Sequence, residues 1–368
     1  MAQKYQVCVT AGDGIGPEIV AEAIKVLHAV EKKYDVEFDF KEALIGGAAI
    51  DATGEPLPAE TLQLARESDA VLLGAVGGPK WDTTTPGAPR PEGGLLAIRK
   101  ELGLYANLRP VVIYDSIAAN SPLKTEKVKG VDLLIMRELT GGLYFGDHVT
   151  QEGVEGAGGD GKPGEHAYDI MQYDEYEIER IIRRGFEAAM KRRKKVTSVD
   201  KANVLDTSRL WRKIAHKVAA EYPEVEFQDM LVDNTAMQII NHPDQFDVIV
   251  VENTFGDILS DEASMLAGSL GLLASASLGD STSLYEPSHG SAPKHAGKND
   301  VNPISQIQSA AMMLKYSFNM DEAAADIDRA VREALADGWC TYDIAQPDTP
   351  ADHILGTREM GTKIAERI

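Results

Sequence analysis

The sequence predicts an α/β fold on a substantially parallel sheet, and three observations carry that expectation. Runs of β-branched and other apolar residues alternate with segments of helical apolar spacing along most of the chain. The opening segment reads as strand, glycine turn and helix. A chain of 368 residues, 43% hydrophobic and 26% charged, has enough apolar material for one large or two moderate domains with a true core.

In order, YQVCVT supplies a strand, AGDGIGPE a turn, and IVAEAIKVLHAVEKKY a helix, with Pro17 in the first turn where its missing N–H costs nothing. DVEFDFKEA, AVLLGAV, VDLLIMREL, VTSVDKANVL, VEFQDMLVD and FDVIVVEN read as further strands, and EIERIIRRGFEAAMKRR as an intervening helix. Two segments break the pattern. GGPKWDTTTPGAPRPEGG is rich in Gly and Pro, and QEGVEGAGGDGKPGEH has glycine too dense for a helix or a central strand. Both read as surface loops. No repeat occurs at any short period.

A formal net charge of −21 opposes binding to nucleic acid or to anionic membranes. The dense basic run Lys191-Arg192-Arg193-Lys194-Lys195 fits a solvated helix end, where cations meet the helix dipole favourably, with a polyanion site as the alternative. Apolar runs such as Val248-Ile249-Val250-Val251 fall far short of the roughly 20 residues a membrane span needs. No basic segment followed by an apolar one opens the chain, so a cytoplasmic location is expected. Cys8 and Cys340 have no spacing that suggests a zinc site or a disulfide framework, and read as buried, inert thiols.

Gly12, Gly14 and Gly16 form an incomplete dinucleotide fingerprint, because Pro17 stands where the third glycine is required; a tight strand-to-helix turn and a cofactor contact both remain open. Asp257 and Asp261, in GDILSDEAS, are four apart, which puts their Cβ atoms about 5 to 6 Å apart on one face of a helix. Two carboxylates so close suit a hard cation, Mg²⁺ or Mn²⁺, or else a favourable acidic first turn. Arg99, Arg109 and Arg137 stand at or near the ends of elements, and three planar forks suit a substrate with two carboxylates. Lys201 directly follows an apolar strand, either as a base or as a lysine reaching solvent.

These residues lie in segments that closely resemble one family. TAGDGIGPEIV, GAVGGPKWD, GLLAIRKELGLYANLRP, RELTGGLYFG, VDKANVLDTSRLWR, GDILSDEASM and EPSHGSAPKHAGKNDVNP are similar, in order, to the β-hydroxyacid oxidative decarboxylases, the isopropylmalate and isocitrate dehydrogenases. The resemblance implies a two-domain α/β fold with mixed sheets that is not a Rossmann fold. Residues 1–104 and 268–368 would form the cofactor-side domain carrying both termini, and 105–267 a central, dimerising domain.

By the same resemblance, Arg99, Arg109 and Arg137 clamp the malate carboxylates, and Tyr144 and Lys201 are the acid–base pair. Asp257 and Asp261 hold Mg²⁺ or Mn²⁺ with Asp233, which also lies against substrate. Lys201 and Asp233 would cross the interface of a homodimer, so each site needs two chains and a monomer is inactive. The nicotinamide cofactor would lie against Ile15, Glu286, His289, Gly290, Ser291, Ala292, Pro293, Lys294, His295 and Asn302.

Glu92, Leu95 and Leu96 match the isopropylmalate pattern, in which leucines face a branched alkyl chain. Isocitrate enzymes place Ser and Asn at the positions of Gly93 and Leu95 to bind a third carboxylate, which an apolar wall rejects. The resemblance thus implies conversion of 3-isopropylmalate to 4-methyl-2-oxopentanoate and CO₂ in leucine biosynthesis, with hydride passed to NAD. Related tartrate, malate, homoisocitrate or isocitrate enzymes, and a non-catalytic regulatory subunit, are the competing readings.

Lys294 departs from the family pattern. NAD-dependent members usually carry Asp there to accept hydrogen bonds from the ribose, whereas NADP-dependent isocitrate enzymes carry a Lys-Tyr pair and a tyrosine in a context like Thr341-Tyr342-Asp343. Their further arginine falls at Gln346. NADP is therefore the alternative to NAD.

Overall fold

The computed structural model describes residues 3–82, 85 and 87–368; Thr83, Thr84 and Pro86 of the first predicted loop lie outside them. The first half runs β1 (Gln3–Gly12), α1 (Gly16–Lys33), β2 (Val36–Glu42), α2 (Gly46–Thr53), α3 (Ala59–Glu67), β3 (Ala70–Ala75), α4 (Pro91–Glu101), β4 (Ala106–Val112), α5 (Thr125–Val128), β5 (Asp132–Glu138), β6 (His148–Val154) and β7 (Gly164–Asp169). The second runs α6 (Glu175–Met190), β8 (Lys195–Asp200), α7 (Asp206–Ala219), β9 (Glu226–Leu231), α8 (Val232–Asn241), β10 (Val248–Val251), α9 (Asn253–Ser264), β11 (Ala274–Leu278), β12 (Ser283–Pro287), α10 (Ile304–Tyr316), α11 (Asp321–Ala336), the short pair β13 (Cys340–Thr341) and β14 (Ile354–Leu355), and α12 (Thr357–Ala365).

Ten strands form one sheet in the order β2-β1-β3-β12-β11-β4-β5-β10-β8-β9. Both flanks are parallel, as the alternation of strand and helix predicts. The centre is not: β12 with β11, β11 with β4, and β4 with β5 pair antiparallel, so the sheet is mixed. These central strands, β4, β11 and β12, escape the sequence pattern because buried polar side chains interrupt it. Asn107 of β4 donates to Ser275 Oγ at 2.8 Å and to Ser277 Oγ at 3.0 Å, so the polar groups satisfy one another across strands.

The flanking core follows apolar periodicity. Ile19, Val20, Ala23, Val26, Leu27 and Val30 line the buried face of α1, which packs on α10 and α12. β10 is buried along its whole length, as a strand covered on both faces must be.

Three sequence expectations need correction. The glycine-dense segment is not all loop: its ends belong to β6 and β7, which among the described residues pair only with each other, a setting where glycine costs less than in a central strand. The Gly/Pro-rich segment ends inside α4, since Pro91 opens that helix. The basic run is not a free cationic end. Arg192 donates to Asp247 at 2.8 Å and Asp132 at 2.7 Å, and Arg193 to the Phe246 carbonyl at 2.6 Å, tying the end of α6 to the sheet. Cys8 and Cys340 are buried and unpaired by disulfide. No described helix is long and apolar enough to cross a membrane.

Candidate active site

The site is organised by α9. Glu252 caps the helix, accepting from Thr254 N at 3.0 Å and Phe255 N at 2.6 Å. Asp257 and Asp261 then fall one turn apart in the body of the helix, with no acidic residue in its first turn. The helix dipole therefore does not account for them. Both approach the Nη1 of Arg109 to 3.5 Å.

Three buried guanidiniums arrive from three elements: Arg99 from α4, Arg109 from β4 and Arg137 from β5. Arg109 lies in the middle of β4 rather than near the end of an element, because β4 runs on past it as a central strand between β11 and β5. Its Nε donates to Asn107 at 2.9 Å and its Nη1 to Ser260 at 2.6 Å. Arg137 gives Nε and Nη2 to Asn253 and Nη1 to Asp257. Arg99 pairs with Glu286 at 2.7 Å. Its Nε is buried with no partner among the described residues, a donor in want of an acceptor.

Burial and mutual repulsion set the electrostatics. Burial pushes Arg137 down to about 10, helped by the neighbouring Arg109 charge and opposed by Asp257. Burial also lowers Arg109, again against Asp257. For Asp257 burial opposes ionisation, but Arg137 and Arg109 outweigh it and hold the carboxyl below its usual range. Asp261, as near to Arg109 but without the close Arg137 contact, is raised by burial and by the Asp257 charge. Tyr144 donates to Asp257 Oδ2 at 3.1 Å, and burial followed by the Asp257 charge pushes its hydroxyl up, keeping it protonated. Three arginines balance Asp257, Asp261 and Glu286. A divalent ion on the aspartates would leave two positive charges, which a diacid neutralises.

Lys201 and Asp233 form a separate pair at 2.8 Å. Lys201 follows the end of β8, where its N–H donates to Ser208 Oγ at 3.0 Å, and Asp233 lies in the first turn of α8. Among the described residues no three acidic, His or Cys side chains of one chain meet as a metal site. The donor set nonetheless fits a hard cation. One chain offers the two carboxylates of α9, and further oxygens must come from substrate, solvent or a second chain.

The expected cofactor residues gather around the segment after β12. Ile15 N donates to the Ser291 carbonyl at 2.9 Å, and a Cβ on Gly14 would stand 2.0 Å from that oxygen, so the glycine turn packs directly on this segment. Ala292 holds a φ of +36°, and His295 N closes on its carbonyl. His289 faces the adjacent Gly290 carbonyl, Pro293 is exposed, and Asn302 is buried and donates to Asp343 at 3.1 Å. Lys294 is exposed and makes no ion pair among the described residues. A Cβ on Gly290 would meet nothing within 4 Å, so a dinucleotide has open access to the backbone here, and the segment fits one. Glu92, Leu95 and Leu96 precede Arg99 on α4. Leu95 packs against the small core around Ile98, whereas the half-buried Leu96 joins no core cluster.

Sequence reasoning missed Asp13, Asn253 and Ser260. Asp13 accepts from the backbone of Gly47, Ala48 and Gly77, each at 2.8 Å, locking the glycine turn to α2 and the end of β3. It sat in plain view between two glycines. Asn253 and Ser260 carry no spacing signal of their own.

Over residues 6–364 the chain matches the isocitrate/isopropylmalate dehydrogenase family, and it belongs to that family. It is 58% identical to the 3-isopropylmalate dehydrogenase of Moorella thermoacetica, covering 99% of both chains. It is 54% identical to that of Aquifex aeolicus, covering 100% of this chain and 98% of the relative. Its fold superposes on the isocitrate dehydrogenase of Methylococcus capsulatus with a TM-score of 0.85 at 37% identity, covering 99% of each.

Proposed function

We propose that the chain oxidises and decarboxylates 3-isopropylmalate to 4-methyl-2-oxopentanoate and CO₂, a step of leucine biosynthesis. The observation that carries this reading is the contact chain Arg137–Asp257–Tyr144, which joins a carboxylate clamp, a metal carboxylate and a protonated hydroxyl. The names of relatives at 54% and 58% identity over the whole chain support it.

Arg99, Arg109 and Arg137 bind the two carboxylates and fix the carbon skeleton. Leu95 and Leu96 face the alkyl branch. Bound Mg²⁺ or Mn²⁺ supplies Lewis acidity at the substrate oxygens, and the nicotinamide cofactor supplies the hydride acceptor. Lys201 takes the hydroxyl proton as the C–H bond breaks, and Tyr144 delivers a proton to the carbon that loses CO₂.

Lys201 and Asp233 reach the site from a second copy in this reading. A homodimer is supported by apolar side chains on neighbouring helices, since Met237 of α8 and Ile258 of α9 are each 62% exposed. The β6–β7 pair supports it too, because an isolated two-stranded hairpin is marginal in water. The proposed division into 1–104 with 268–368 and 105–267 agrees with strand provenance: β2, β1, β3, β12 and β11 come from the first, the other five from the second.

NAD is the proposed cofactor, with NADP favoured by exposed Lys294 and exposed Tyr342. Gln346, bonded to Asn120, offers no charge to a phosphate. Incubation with 3-isopropylmalate, Mg²⁺ and either nucleotide tests the reading: 4-methyl-2-oxopentanoate, CO₂ and reduced nucleotide must appear in equal amounts. Oxidation without the branched 2-oxo acid sinks it.

A further inference from the structure

Asn253 opens α9 and is wholly buried. Its Oδ1 accepts twice from Arg137, from Nε at 3.0 Å and from Nη2 at 2.7 Å. Its Nδ2 donates to the Gly141 carbonyl at 2.9 Å, and its backbone N–H donates to Tyr173 Oη at 3.0 Å. One turn further along the helix, Asp257 takes Arg137 through Nη1 and accepts from Tyr144.

The two ends of this amide serve two different elements. Two N–H groups on one acceptor fix the plane of a guanidinium, which a single bond would leave free to swing. The other end holds the turn that carries Tyr144 three residues on. Gly141 and Gly142 have no side chains to anchor the turn, and the ring of Tyr173 fills the space a Cβ would take at either, while Gly142 N donates to the Gln172 carbonyl at 3.1 Å and Arg180 to Thr140 Oγ1 at 2.8 Å. Glu138 accepts from the N–H and hydroxyl of Thr140 and the N–H of Gly141, whereas the Gly141 carbonyl is held by Asn253.

We propose that Asn253 is a positioning residue that sets the Arg137 fork and, through the Gly141 carbonyl, the Tyr144 hydroxyl, so that clamp and proton donor keep one spacing. The inference rests on the isopropylmalate reading above. An amide is required because the role needs an acceptor at one end and a donor at the other.

Two variants separate the ends. Asn253→Ala loses both, whereas Asn253→Asp keeps an acceptor for Arg137 and sets a second acceptor against the Gly141 carbonyl. Each is checked for thermal midpoint and oligomeric state. Affinity for Mg²⁺-isopropylmalate without nucleotide is then measured by calorimetry, and kcat, KM and the solvent deuterium isotope effect by turnover. In Asn253→Ala, substrate affinity and kcat both fall by roughly tenfold or more. In Asn253→Asp, affinity stays within about fivefold of wild type, while kcat stays down by about tenfold or more with an enlarged isotope effect, because proton delivery has become limiting. If the alanine variant does not fold, the aspartate variant decides alone.

Parallel losses of affinity and kcat in both variants, with an unchanged isotope effect, indicate a merely structural residue and overturn the proposal. So do values within twofold of wild type. Wild-type protein inert towards isopropylmalate overturns the substrate reading and this proposal together. Active wild type with unaltered variants overturns the role of Asn253 alone.

Discussion

Arg137 donates from Nη1 to Oδ1 of Asp257, joining a guanidinium only 2% exposed to a carboxylate in the body of α9. Removing Asp257 leaves the buried Arg137 charge without its counter-ion. Because Asp257 also receives the Tyr144 hydroxyl, the proposed clamp, metal ligand and proton donor share one carboxylate.

Asp257→Ala therefore weakens Mg²⁺ binding and turnover together, with kcat/KM falling by about 10²-fold or more. Titration of Mg²⁺ against activity checks this, and a saturating chelator gives the companion measurement. Activity in chelator equal to that in Mg²⁺ contradicts a metal-dependent reaction.

Lys201→Met removes an ammonium and keeps much of the aliphatic stem. Oxidation falls by about 10²-fold or more, the usual share of a general base, while the oligomeric state seen by light scattering stays that of the parent protein. Asp233 loses the hydrogen bond and charge that hold its carboxyl low, so its acidity weakens in the variant. Retention of more than a tenth of the rate removes Lys201 from the mechanism.

If exposed Lys294, which makes no ion pair among the described residues, faces the adenosine ribose as proposed, it favours the 2′-phosphate of NADP and cannot accept ribose hydrogen bonds. Lys294→Asp raises kcat/KM for NAD and lowers it for NADP, moving their ratio by about tenfold, or about 1.4 kcal/mol. Salt weakens NADP use more than NAD use in the parent protein. A ratio steady within twofold means that selection lies elsewhere.

Away from the site, hydrogen bonds from Lys33 and Tyr34 hold the Asp326 carboxyl down to about 2. A depressed carboxyl stabilises the fold above its ordinary value and loses that contribution as pH falls through the depressed one. Asp326→Asn thus lowers the thermal midpoint at pH 7 by about 2 °C, on the order of 1 kcal/mol once solvent screening is discounted. The gap closes as the pH approaches 2. A constant gap across that window excludes the carboxylate as its cause.

The residues that the sequence announced are those with a spacing or an apolar context. Asp257 and Asp261 declare themselves by a four-residue interval, α1 and α6 by periodicity, and β10 by a continuous apolar run. The strands β4, β11 and β12 stayed hidden because Asn107, Ser275 and Ser277 put buried polar groups where the pattern expects apolar ones. Asn253 was equally silent. Its contacts reach Arg137 and Gly141, more than a hundred residues away, and long-range pairing leaves no local trace. The family resemblance supplied the roles of Tyr144 and Asp233, which neither spacing nor composition singles out.

The most direct test compares kcat/KM for 3-isopropylmalate and isocitrate under one set of conditions, with Mg²⁺ and both nucleotides. If Leu95 and Leu96 line the alkyl pocket as proposed, a third carboxylate there is left desolvated and unpaired, and isopropylmalate is preferred by about 10²-fold or more. Equal use of the two acids, or a preference for isocitrate, contradicts the account.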